Sequence, residues 1–153
     1  MPEFVMIGNR EPAFLALDDF TQGYIEALFF TDNAPGVTTE EWQATEDHRE
    51  GSFPGDAGFA DLAPEALVAI VADCKRFQER HALVLAEAYA REDYESEQAG
   101  RDFWYTRNGH GVGFWEREQL KGEVDLGESL TLTANAYRET DSYLGDDGKV
   151  YLS

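Results

Sequence analysis

Gly100-Arg101-Asp102-Phe103-Trp104-Tyr105-Thr106-Arg107-Asn108-Gly109-His110-Gly111-Val112-Gly113-Phe114-Trp115-Glu116 is the stretch on which the fold class turns. Residues 102–107 are aromatic-rich and β-prone, residues 112–116 resume that character, and Asn108-Gly109 stands between them. Asn-Gly between two such runs signals a hairpin, because a tight type I′ turn needs positive φ at both central residues. The expectation is an antiparallel hairpin with Asp102 beside Glu116 at its open end.

Upstream of this stretch the pattern changes period. Leu67, Ile70, Cys74, Phe77, His81, Val84 and Ala88 alternate spacings of three and four, a 3.5-residue seam sustained over three heptads. With Pro64 tolerated in the first turn, the spacing predicts a helix from about Ala63 to Tyr94, about 45 Å long at 1.5 Å per residue. Such a helix is a spine for the rest of the chain, or, alternatively, pairs with its twin across a dimer axis. Earlier still, Phe14, Leu17, Tyr24, Ile25 and Leu28 predict an amphipathic helix from Ala13 to Phe30, ended by Asp32-Asn33-Ala34-Pro35-Gly36. Gly23 in its middle costs about 1 kcal/mol relative to alanine. Between these helices Thr38-Thr39-Glu40-Glu41 reads as a capping box opening a short helix around Trp42, and Gly51-Ser52-Phe53-Pro54-Gly55-Asp56 reads as loop.

Downstream, Leu126, Leu130, Ala134 and Tyr137 share one helical face. Tyr143-Leu144, Gly145-Asp146-Asp147-Gly148 and Lys149-Val150-Tyr151-Leu152 form a second hairpin signal. The expected fold is therefore α+β: a long central amphipathic helix, shorter helices, and a small antiparallel sheet built from C-terminal hairpins. The chain reads as a single domain, residues 1–153. Residues 1–99 are mainly helical with an acidic loop at about 33–62, and residues 100–153 supply hairpin, helix and terminal hairpin.

The run from Gly100 to Trp115 resembles a segment of short, uncharacterised acidic proteins encoded by tailed bacteriophages. Tyr143-Leu144-Gly145-Asp146-Asp147-Gly148-Lys149-Val150-Tyr151 is similar to their usual ending. The resemblance covers the C-terminal third and implies a phage or prophage origin, with expression inside a bacterial host. It carries over no activity and no catalytic residue.

Charge limits the partners. Thirty-one Asp and Glu face twelve Lys and Arg, a formal net charge of −19. Such a chain repels nucleic-acid phosphate and anionic lipid and attracts basic surfaces. Ten Phe, seven Tyr and three Trp supply a core that a disordered acidic tail lacks. They also make adaptation to high salt the less attractive account of the acidity. No apolar run approaches the roughly 18 residues of a membrane span. Met1-Pro2-Glu3-Phe4 does not open a secretory signal. The one cysteine, Cys74, reads as a buried free thiol despite Lys75 and Arg76 beside it. A cytoplasmic location is expected.

Motifs for chemistry are sparse. His110 in its glycine turn, flanked by Trp104 and Trp115, offers a candidate ligand pocket, against the plainer reading of turn geometry and packed tryptophans. His81 on the seam reads as a buried neutral histidine bonded to a neighbouring helix. His48, with Glu46, Asp47 and Glu50, offers donors for a divalent cation, against a solvated acidic loop. Asp146-Asp147-Gly148 lacks the ligand spacing of a calcium loop. There is no nucleophile elbow, phosphate-binding glycine loop or zinc-protease motif. No cofactor and no metal are expected.

Acids cluster at Glu40 to Glu65, where eight acids meet one base (Arg49), at Glu92, Asp93, Glu95 and Glu97, and from Glu116 to Glu128. The leading functional expectation is a non-enzymatic, protein-binding inhibitor or modulator, a phage anti-defence DNA mimic occupying a basic nucleic-acid-binding site on a host protein. Its contact residues would be Glu40, Glu41, Glu46, Asp47, Glu50, Glu92, Asp93, Glu95 and Glu97, with Trp42, Trp104, His110 and Trp115 as candidate aromatic anchors. It binds no nucleic acid directly and no membrane, and a homodimer is allowed. The alternatives are an assembly accessory that forms a homo-oligomer and a small metal-dependent hydrolase using His110 or His48.

Overall fold

Asp18 divides the N-terminal helical stretch in two. Its carboxylate accepts a hydrogen bond from the Thr21 amide at 2.8 Å, which caps a new helix where a single one from Ala13 to Phe30 was expected. In the computed structural model, which describes residues 11–34, 53–54, 58–109, 112–122, 125–140, 142–144, 147 and 149–152, α1 is Pro12–Leu15 and α2 is Asp19–Asp32. Phe20, Tyr24, Ile25, Ala27, Leu28 and Phe29 of α2 are all buried. A helix that is apolar around so much of its circumference lies inside the molecule rather than on it.

The third helix, α3, is Pro64–Arg80, with proline at its first turn and Ala66, Ile70, Cys74 and Phe77 buried along one stripe. It does not reach Tyr94. His81 leaves helical geometry (φ −114°, ψ 25°), α4 follows as Ala82–Tyr89, and Asp93 takes a left-handed conformation (φ 64°). The hydrogen-bond ladder continues through the break, with His81 N–H on the Phe77 carbonyl at 3.1 Å and Leu85 N–H on that of His81 at 2.8 Å. It is therefore a kink. A seven-residue seam drifts about 20° per heptad on a straight helix. The bend re-aims the chain so that Leu85 and Ala88 remain buried. The expected 45 Å spine is replaced by two shorter helices.

The larger correction concerns the opening stretch. Residues expected as the first arm of a hairpin form α5, Ser96–Arg107, and Ala99 through Arg107 are buried without interruption. Aromatic β-propensity is weak beside burial, and here Phe103, Trp104 and Tyr105 are enclosed on successive sides of one central helix. Asn108-Gly109 is a helix end. Asn108 follows the last turn, Gly109 adopts φ 68°, and its N–H bonds the Thr106 carbonyl at 3.2 Å. The positive φ that suits a type I′ turn equally suits the residue after a helix. Beyond it come two 3₁₀ turns, Phe114–Glu116 and Glu118–Leu120, in place of a returning strand. Helix α6, Leu126–Ala136, is capped by Asp125 and buries Leu126, Leu130 and Ala134, three of the four positions expected on its inner face, with Tyr137 half-buried just past its end.

Helices α2 and α5 form the most extensive pair among the described elements. Their contact is glycine on both sides: a Cβ on Gly23 would strike the Glu97 carbonyl, and one on Gly100 the Phe20 carbonyl. Against this pair Phe77 stacks on Phe103 with ring centroids 4.3 Å apart and on Phe114 at 5.8 Å.

Strand structure among the described residues is confined to short pairs. Among the described residues β1 (Asn33–Ala34) runs parallel to β2 (Phe53–Pro54). The terminal hairpin pairs β3 (Ser142–Leu144) antiparallel with β4 (Val150–Leu152), and the Val150 carbonyl accepts the Ala63 amide at 2.8 Å. Ladders of two and three residues do not make a layer. The fold is mainly helical, and the α+β expectation with its C-terminal sheet is withdrawn.

Candidate functional site

The acids expected to face a partner divide between described and undescribed parts of the chain. Glu40, Glu41, Trp42, Glu46, Asp47, His48, Glu50 and His110 lie outside the described residues. Glu92, Asp93 and Glu95 are exposed on the turn between α4 and α5, and Glu97 is half-buried in the first turn of α5. The α2–α5 crossing brings Asp19 and Glu26 of α2 toward this group. Burial pushes the Glu97 carboxyl up, and the charges of Asp19 and Glu95 push it further. Burial likewise raises Glu26, with Glu97 adding to it and Arg101 opposing. Arg101, which pairs with Glu26 at 3.7 Å and also draws Glu97 back, offsets part of the repulsion among these carboxylates.

The two tryptophans do not form one pocket. Trp104 is buried, packs edge-on against Tyr24 with centroids 5.3 Å apart, and donates its indole N–H to the Thr31 hydroxyl at 2.8 Å. Trp115 sits in a 3₁₀ turn, 43 % exposed, beside Asp125, Glu128, Thr131 and Leu132. His81 is half-buried against Phe77, and its Nε2 has no hydrogen-bond partner among the described residues, contrary to the expected bond to a neighbouring helix. Cys74 is buried, and burial raises its thiol pKa well above the usual value, which makes it inert.

Asp102 does not lie at the mouth of a hairpin. It is fully buried and accepts hydrogen bonds from Tyr94 Oη at 2.8 Å, Gln98 Nε2 at 3.0 Å and a forked Arg117 guanidinium whose shortest contact is 2.7 Å. Burial pushes the carboxyl up while these donors pull it back. Arg107 is the second interior charge. Its Nε donates to the Arg138 carbonyl, Nη1 to Tyr24 Oη and to Asp73 at 2.9 Å, and Nη2 to the Tyr137 carbonyl. The guanidinium also lies against the Phe103 and Tyr137 rings. These are scaffold contacts, tying α5 to α2, α3 and the end of α6.

Arg107 also forms the floor of an open cleft of about 530 Å³ between α3 and α6, lined by Asp73, Arg76, Arg80, Thr133 and Tyr137. Burial and Asp73 raise the Tyr137 phenol, and Arg76, Arg80 and Arg107 all oppose that rise, so the three guanidinium groups act on one spot. Sequence reading passed over this cluster. The available signal was Arg76-Phe77-Gln78-Glu79-Arg80, which puts two arginines one helical turn apart in an acid-rich chain.

Among the described residues no group of three His, Cys, Asp or Glu is arranged to hold a metal ion, and no helix is long and apolar enough to cross a membrane. Compared with known proteins, the chain matches no family model, no curated protein and no solved structure.

Proposed function

We propose that this is a non-enzymatic binding protein whose acidic surface occupies a basic, nucleic-acid-binding site on a host protein, acting as a phage-encoded anti-defence DNA mimic in the bacterial cytoplasm. The observation that carries the reading is the excess of thirty-one acids over twelve bases, with Glu92, Asp93 and Glu95 exposed together on the turn between α4 and α5. Arg101, Arg107 and Arg117 pair with Glu26, Asp73 and Asp102, which leaves nine bases against twenty-eight acids outside these three pairs. Duplex DNA presents about one negative charge per 1.7 Å of axis, and a rigid array of carboxylates imitates that field.

The test is a pull-down from nuclease-treated bacterial lysate with elution by a salt gradient. The expected result is one nucleic-acid-binding protein, released by moderate salt and displaced by duplex DNA. Reversing Glu92, Asp93, Glu95 and Glu97 together to lysine weakens that capture while leaving the circular dichroism spectrum intact. A complex indifferent to salt, or an unaffected quadruple variant, would falsify the reading. The homo-oligomer alternative loses the seam as its interface, since Ile70, Cys74 and Phe77 are spent in the core. Both histidines of the hydrolase alternative, His48 and His110, lie outside the described residues.

A further inference from the structure

We infer that the cleft over Arg76, Arg80 and Arg107 binds a small phosphate-bearing ligand of nucleotide size, a site separate from the acidic surface. Thirty-one acids for twelve bases offer a surplus of carboxylates for pairing. Nevertheless Arg76 and Arg80 make no ion pair among the described residues, although Glu79 lies beside Arg80 and one turn from Arg76. Like charges at i and i+4 repel on a helix. The helix dipole accounts for Arg80 in the last turn of α3 but not for Arg76 a turn earlier. The pair is left facing the cleft instead of being neutralised.

The cleft supplies what a phosphate ester needs. Guanidinium groups match phosphate oxygens with forked hydrogen bonds. Arg107 is held rigidly from below by Asp73, Tyr24 and two carbonyls, so it contributes a positive floor without losing side-chain freedom on binding. Among the described residues that line the cleft, three guanidinium groups meet one carboxylate, that of Asp73, a local excess of positive charge in a chain whose overall field repels anions. Leu132, 68 % exposed, and the Tyr137 ring form an apolar flank for the organic part of the ligand, and Thr133 adds a hydroxyl. The volume of about 530 Å³ falls in the usual range for small-ligand clefts.

The experiment is a titration of the whole chain with adenosine 5′-monophosphate, inorganic phosphate and adenosine at constant ionic strength, read by arginine Nε–Hε NMR signals. The expected result is saturable shifts at Arg76, Arg80 and Arg107 with the nucleotide, weaker saturation with phosphate, and none with adenosine. Arg76→Gln with Arg80→Gln weakens nucleotide binding by about tenfold or more, whereas Lys75→Gln leaves it unchanged. Both arginines are exposed, so the variant keeps its fold, which its thermal transition verifies. Failure of all three probes to saturate overturns the site. So does a double variant that binds like the parent, or adenosine binding as tightly as its phosphate ester. Phosphate binding as tightly as the nucleotide keeps the anion site and overturns its nucleotide size.

Discussion

Asp102 illustrates what a single residue does in this protein. A carboxylate with no exposed surface is tolerable only because Arg117, Tyr94 and Gln98 together satisfy both of its oxygens. Removing one member of a buried ion pair strands the other, which costs more than the pair contributes. Asp102→Asn is expected to destabilise by about 3 kcal/mol in urea denaturation, the part-exposed Arg117 recovering some hydration. Replacing both, as Asp102→Leu with Arg117→Met, should recover part of that loss, because the buried Tyr94 hydroxyl and the Gln98 amide still lose their acceptor. A double variant as unstable as the single one would show that the network contributes specific geometry beyond the pairing of two charges. Sequence reading placed Asp102 at a hairpin mouth because, read as a strand, its alternate residues face solvent; read as a helix, the same residue faces inward toward a base fifteen positions on.

At the scale of elements, the α2–α5 crossing governs the architecture. Gly23 looks like a defect when α2 is considered alone, and Gly100 looks like a boundary between two kinds of structure. In the folded chain each lies against the carbonyl of the opposite helix, Gly23 on Glu97 and Gly100 on Phe20. A methyl group at either position pushes the two backbones apart. Because the obstacle is backbone rather than a flexible side chain, Gly100→Ala is expected to cost about 3 kcal/mol or more, at the upper end of overpacking. The measurement is the urea midpoint with the slope unchanged. A loss under about 1 kcal/mol would mean the helices can slide apart, and the crossing would not be the tight contact described. The cap at Asp18 and the kink at His81 belong to the same scale: each re-aims a helix so that its apolar stripe stays on this pair.

For the whole molecule, charge and core pull in opposite directions. An aromatic cluster joining Phe20, Tyr24, Phe77, Phe103, Phe114 and Tyr137 supplies the cohesion, while a net charge of −19 opposes compaction. Screening relieves that opposition. Raising sodium chloride from about 0.01 M to about 0.1 M shortens the Debye length from about 30 Å to about 10 Å and is expected to raise the thermal midpoint by several degrees. A midpoint that is flat or falls with salt would show that surface repulsion is not a significant cost, and the carboxylates at the crossing would then need another account.

The sequence by itself determined the chemical character of this protein: the acid excess, the aromatic core, the buried thiol, the inner face of α6 and the presence of a terminal hairpin. These are properties of composition and of short periods, and periodicity reports which side of an element is apolar whatever it packs against. Tertiary structure alone decided that residues 96–107 are helical, that the 63–94 seam is kinked, and that Gly23 and Gly100 each lie against the backbone of the opposite helix. Those outcomes depend on contacts between segments far apart in the chain: Asn108-Gly109 suits a hairpin turn and a helix end equally well in local terms, and only the burial of Phe103, Trp104 and Tyr105 on every side of α5 separates the two. The arginine cleft was illegible for the same reason, since Arg76 and Arg80 acquire a floor in Arg107 and a wall in Tyr137 only when α3, α5 and the end of α6 come together.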